Sequence, residues 1–153
     1  MTSRPVINVL DAALEPGPDA PRGYRVRGTQ VGPMLGALML GASIYELDPG
    51  ESVAPYHYEY GNEEWLLVLT GRPTLSRRDG ERVLEPGDIM AFPDGPAGAH
   101  KVTNHTSTTV RIAMLSTMDE PAITVFEDSG KLVLKPLRKV FRDADAIGYW
   151  DGE

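Results

Sequence analysis

The chain has no cysteine, which excludes a disulfide framework and thiolate chemistry. It has only three histidines and two tryptophans in 153 residues, so an imidazole at a patterned position stands out against a sparse background. Cations are in the minority: 15 Lys and Arg against 22 Asp and Glu give a net charge of −7. The basic footprint of a nucleic-acid or anionic-membrane binder is therefore missing. No apolar run reaches the ~20 residues of a spanning helix; the longest uncharged stretch, 28–45, is broken by Gly32, Pro33, Gly36 and Gly41. No basic start followed by an apolar run is visible, so no secretory signal is read. Together with the missing cysteine, this makes a cytoplasmic location the expectation.

What is present is turn-rich and apolar in short pieces. Hydrophobic residues make up 41% of the chain, with 16 Gly and 13 Pro. The length is that of one ordinary domain, and short apolar runs between frequent turns favour an all-β fold. Residues 1–34 read as an N-terminal arm with one apolar patch (Val6, Ile7, Val9, Leu10) and an alternating strand from Tyr24 to Gln30. Leu35 to Leu47 reads as a long strand. Strands follow at 53–60, 64–70, 74–78, 82–84, 89–92, 100–103 and 108–116, with Asp79-Gly80 as the strongest hairpin signal. A further hairpin is expected from 122–126 and 131–137 across Asp128-Ser129-Gly130, and the Tyr149-Trp150 pair is expected to anchor the tail.

The chain is organised around Pro55 to Gly71. His57 and Glu59 are two apart on a strand and so share a face. Glu64 opens the next strand, just past the Gly61-Asn62 turn, and can fold back beside them. Three groups able to bind a divalent metal thus meet on one wall. Tyr56, Tyr58, Tyr60 and Trp65 then face outward, toward either a homodimer interface or the chain's own arm. Leu66, Val68, Ile89, Ala91 and Val102 are the candidate pocket wall, and His105 reads as a surface residue.

Two motifs resemble those of the cupin superfamily. Gly50, His57, Glu59, Glu64 and Gly71 match the first; Gly87, Pro93, Gly95, His100 and Asn104 match the second. The resemblance covers about 35–118 and is to small single-domain cupins. It implies a double-stranded β-helix, or jelly-roll, barrel, with the arm 1–34 before it and a C-terminal extension 119–153 after it. The chain departs from the family pattern in three places. Glu59 stands where the first motif has its second histidine, the run from Gly50 to His57 is one residue longer, and the Gly95–His100 loop is two residues longer.

The resemblance adds His100 to the metal set, making His57, Glu59, Glu64 and His100 the expected ligands. Mixed imidazole and carboxylate donors suit Zn²⁺, Fe²⁺, Mn²⁺ or Ni²⁺. Glu59 has a second expected role, as an inward catalytic acid or base. The implied function is a metal-dependent enzyme acting on a small molecule, of oxygenase, isomerase, decarboxylase or lyase type. The rivals are a non-enzymatic small-ligand or sensing module and a metal-free sugar-modifying barrel.

Overall fold

The structure is a computed structural model that describes residues 5–153. Its strands are, in order, β1 (Glu15–Pro16), β2 (Val26–Gln30), β3 (Leu40–Leu47), β4 (His57–Tyr60), β5 (Glu64–Thr70), β6 (Thr74–Arg77) and β7 (Gly80–Val83). Then come β8 (Ile89–Phe92), β9 (His100–Thr103), β10 (Val110–Thr117), β11 (Ala122–Phe126), β12 (Lys131–Lys135) and β13 (Lys139–Arg142). One short helix, α1 (Val31–Met34), joins β2 to β3. No helix among the described residues is long and apolar enough to cross a membrane.

The strands form two antiparallel sheets. One is ordered β1-β2-β3-β10-β5-β8 and the other β13-β12-β11-β4-β9-β6-β7. Consecutive strands β4 and β5 lie in different sheets, so the short Gly61–Glu63 turn carries the chain across the barrel. Gly61 has φ +89°, and a Cβ there would meet the Pro121 carbonyl oxygen at 2.9 Å. Only glycine suits both the left-handed backbone and the close approach. The two inner faces enclose a core of Leu47, Leu66, Val68, Leu75, Val102, Val110 and Ile112. Each such side chain contributes about 1.5–3 kcal/mol through burial. This is the all-β jelly roll that the alternating runs and the two motifs imply.

The N-terminal arm is stitched to the outer face of the first sheet. Arg111, buried on β10, donates to the Val9 and Ala12 carbonyls and pairs with Glu46. The arm covers only part of that face. Trp65 is 44% exposed and borders an apolar groove with Leu40 and Leu115.

The 119–153 segment supplies three strands, and β11 pairs directly with the metal-motif strand β4. The 122–126 and 131–137 hairpin is present as β11 and β12.

Other expectations need correcting. Residues 35–39 are an exposed connection, not strand, because α1 uses the preceding residues to turn and Gly36 adopts φ +73°. On β8 the parity is reversed: Ile89 and Ala91 face out, while Met90 and Phe92 face in. The register Leu66↔Met90 and Glu64↔Phe92 fixes this, since directly paired residues share a face. Tyr149 and Trp150 do not anchor the tail. They are 87% and 78% exposed and pack edge-to-face on each other.

Candidate metal centre

Three strands bring three donors together. His57 opens β4, Glu64 opens β5 from the opposite sheet, and His100 opens β9. His57 and His100 are direct cross-strand partners, with ring centroids 4.7 Å apart. The Glu64 carboxylate reaches across the barrel, its Oε2 lying 3.6 Å from His57 Nε2 and 3.9 Å from His100 Nε2. One donor atom from each residue lies within 4.8 Å of the others.

The backbone sets which ring nitrogen faces inward. His57 Nδ1 lies 2.8 Å from the Pro55 carbonyl oxygen, and His100 Nδ1 lies 2.8 Å from that of Gly98. A carbonyl can only accept, so both Nδ1 atoms carry hydrogen and donate. In the neutral tautomer each Nε2 then keeps its lone pair, and both lone pairs are aimed at the space beside Glu64. Fixing the tautomer through the second nitrogen is how metal-binding histidines are oriented. The Gly98 carbonyl is in place because the Pro96–Gly98 turn curls tightly. A Cβ on Gly98 would stand 2.0 Å from the Pro93 carbonyl oxygen. The longer Gly95–His100 loop is absorbed in this turn, and Phe92 stacks on the His100 ring at 3.6 Å.

The electrostatics follow from burial and from Glu64. Burial works against a charge on His57, but the neighbouring Glu64 carboxylate outweighs it and raises the pKa above the usual 6.5. His100 is pushed down to about 4, first by burial and then by the neighbouring His57 charge. Burial would raise the pKa of Glu64, yet the two imidazoles hold it below the ordinary carboxylate value. Below the usual imidazole range the cationic charge of the trio is therefore on His57, whose additional proton a bound cation would have to displace.

Glu59, expected as a fourth ligand, is not part of this group. It is buried on the same face of β4, but its Oε1 accepts from Lys135 Nζ at 2.8 Å and from Thr124 Oγ1 at 2.9 Å, while Asn62 Nδ2 donates to Oε2 at 3.1 Å. Lys135 and Thr124 come from β12 and β11, so the C-terminal hairpin engages this carboxylate. Asn62 continues the network, accepting from Thr117 Oγ1 and from the Asp119 backbone N–H. Sequence reasoning misses Lys135. The available signal is a lysine at an inward position of the predicted 131–137 strand, a place where an unpaired cation would be costly. His105 is exposed, as expected of a surface residue.

Residues 43–117 match the family described as Cupin domain. Among solved structures, a sugar phosphate isomerase of the cupin superfamily from Silicibacter pomeroyi superposes with a TM-score of 0.81, covering 96% of this chain and 98% of its own, at 21% identity. A polyketide cyclase from Streptomyces resistomycificus superposes with a TM-score of 0.62 over 80% of this chain and 84% of its own, also at 21% identity. A cupin protein from Bacteroides fragilis does so at 0.55, over 76% and 86%, with 16% identity. No curated protein matches the chain in sequence. At these identities the likeness establishes the fold.

Proposed function

We propose that this chain, whose residues 43–117 match the cupin domain, binds one divalent metal ion on His57, Glu64 and His100 and works as a metal-dependent enzyme on a small molecule. The observation that carries the reading is the pair of Nδ1–H···O=C bonds, which turn two Nε2 lone pairs toward one carboxylate oxygen. Two imidazoles and one carboxylate leave positions free for water or a substrate oxygen, the hallmark of a reactive rather than a structural site. The donor set suits Zn²⁺, Fe²⁺, Mn²⁺ or Ni²⁺.

When bound, the ion would polarise a substrate oxygen and lower the pKa of attached water. The charge count matters here. One carboxylate against a dication leaves the site a unit positive, whereas the four-ligand set with Glu59 would be neutral. Lys135 keeps that second carboxylate occupied, so we assign Glu59 the role of positioning β4 and the Gly61–Glu63 turn rather than that of a ligand or a proton carrier. Glu64 stays ionised across the neutral range. Phe92 and Phe126 flank the imidazoles and limit water around them.

Elemental analysis of purified protein, followed by a turnover screen with the metal-loaded chain, tests the reading. Sugar phosphates come first in that screen, prompted by the name of the Silicibacter pomeroyi neighbour. About one metal ion per chain together with turnover supports the enzyme; metal without turnover over a broad screen favours a ligand-binding module; no metal in any preparation overturns the site. We further propose a homodimer that buries the groove at Leu40, Trp65 and Leu115, because an apolar patch on the part of the sheet that the arm leaves uncovered marks an interaction surface.

A further inference from the structure

The cross-strand register places the two imidazoles in the middle of a single row. Reading across the second sheet, Arg77 pairs with His100, His100 with His57, His57 with Phe126, Phe126 with Lys131, and Lys131 with Arg142. Directly opposed residues point to the same face, so this row lies on the metal-facing side. Cations stand at both of its flanks, in a chain whose net charge is −7. Neighbouring strands are about 4.8 Å apart, so the backbone of Arg77 is one strand from that of His100.

Arg77 is half-buried, with a side chain 32% exposed, and it is poorly engaged. Its Nη1 reaches the Met90 sulfur on the opposite sheet at 3.6 Å, which places the guanidinium between the sheets. Its one carboxylate neighbour among the described residues, Asp79, is 3.8 Å away and 81% exposed. The other half-buried or buried arginines differ. Arg27 binds Glu46 and Asp48 at 3.3 Å or less, and Arg111 binds Glu46 and two carbonyls. An arginine held beside the metal donors without an anion of its own is suited to take one from a ligand, in the two-pronged geometry that guanidinium offers to carboxylate and phosphate. On the other flank, Lys131 Nζ sits over the Phe126 ring, 5.4 Å from its centre.

We propose that Arg77, assisted at longer range by Lys131, is the anion receptor of the site, and that the molecule handled there carries a phosphate or carboxylate group close to the oxygen that meets the metal. The proposal rests on the metal reading above for the second half of that statement and on Arg77 for the first, and one experiment separates them. Inorganic phosphate and acetate are titrated calorimetrically, at fixed ionic strength, into wild type, Arg77→Gln, Arg77→Lys, Lys131→Gln and Arg72→Gln, with metal content measured on each. Arg72 is at the opposite end of the barrel, paired with Glu85, and controls for loss of one positive charge.

The expected result is that Arg77→Gln weakens anion binding by about tenfold or more, a difference well within calorimetric reach. Arg77→Lys should fall between wild type and Gln, Lys131→Gln should lose about two- to threefold, and Arg72→Gln should match wild type. The tighter of the two probes in wild type identifies the group as phosphate or carboxylate. Failure of wild type to bind either anion, or equal binding by wild type and Arg77→Gln, overturns the receptor. Should metal be absent while binding still depends on Arg77, the receptor stands and the metal reading falls. Should metal be retained while binding is independent of Arg77, the receptor falls and the metal reading stands.

Discussion

Two carboxylates, Glu59 and Glu64, sit on the inner wall within one turn of each other in sequence, and their surroundings separate them. Glu59 is met by an ammonium, a hydroxyl and an amide. Glu64 is met by two imidazole nitrogens at 3.6 and 3.9 Å, beyond hydrogen-bond length. A carboxylate already neutralised by Lys135 has little to offer a dication, whereas one facing two imidazole nitrogens is placed to join them around an ion. Inward direction on a strand therefore does not make an acidic residue a ligand; its counter-charge decides.

The largest effect expected on breaking the comparison is at the imidazoles. His57→Ala or His100→Ala should each lower metal affinity by more than about 100-fold, beyond what second-layer changes cause. The double variant should lose little more than either single one, since ligands of one ion act as a unit; metal titration of the three proteins checks this.

Next is the Glu59 network. Lys135→Met should leave Glu59 buried without its cation and destabilise the fold by about 1–3 kcal/mol, read as a lower urea midpoint. If Lys135 holds Glu59 away from the ion, the same variant frees a carboxylate to bind, so metal affinity should hold or rise.

The third prediction sharpens the comparison through pH. In the metal-free chain His100 has a folded pKa of about 4 against 6.5 unfolded. Between those values the unfolded chain takes up a proton that the folded chain refuses, so stability falls as pH drops from 6.5 toward 4, by up to about 1.4 kcal/mol per unit. His57 has the opposite sign: its raised pKa stabilises below 6.5, and that contribution is lost as pH rises through the folded value. The metal-free protein should therefore be most stable near pH 6.5, and thermal melts across pH should show the maximum. Saturating metal should remove the alkaline decline, because both imidazoles are then deprotonated.

The smallest expected effect is on assembly. Trp65→Ser should shift the light-scattering mass toward monomer at micromolar concentration while leaving metal content unchanged. An unchanged mass would place the association elsewhere.

Much of the fold and the site is legible in the sequence because it is local. His57 and Glu64 follow from strand parity and one glycine turn, and the barrel from the spacing of turns. His100 needs the family motif, since nothing within the 100–103 run says that its partner is His57. What the sequence hides is long-range. Lys135 lies 76 positions from Glu59; its inward place on the 131–137 strand says that it needs a counter-charge, but nothing near either residue says that Glu59 is the one. The parity of β8 fails for the same reason: its four residues are apolar on both sides, so alternation carries no direction until Glu64↔Phe92 pairing sets it. The aromatic tail misleads because aromatic area alone does not imply burial, and no element of the barrel reaches that far.

The central claim is that Glu64 and not Glu59 serves the metal, and metal stoichiometry of Glu59→Gln and Glu64→Gln, measured beside wild type by elemental analysis after identical loading and dialysis, tests it most directly. Glutamine keeps the shape and removes the charge. The account predicts about one ion per chain in wild type and in Glu59→Gln, with most of the metal lost from Glu64→Gln. Full retention by Glu64→Gln together with loss from Glu59→Gln would contradict it.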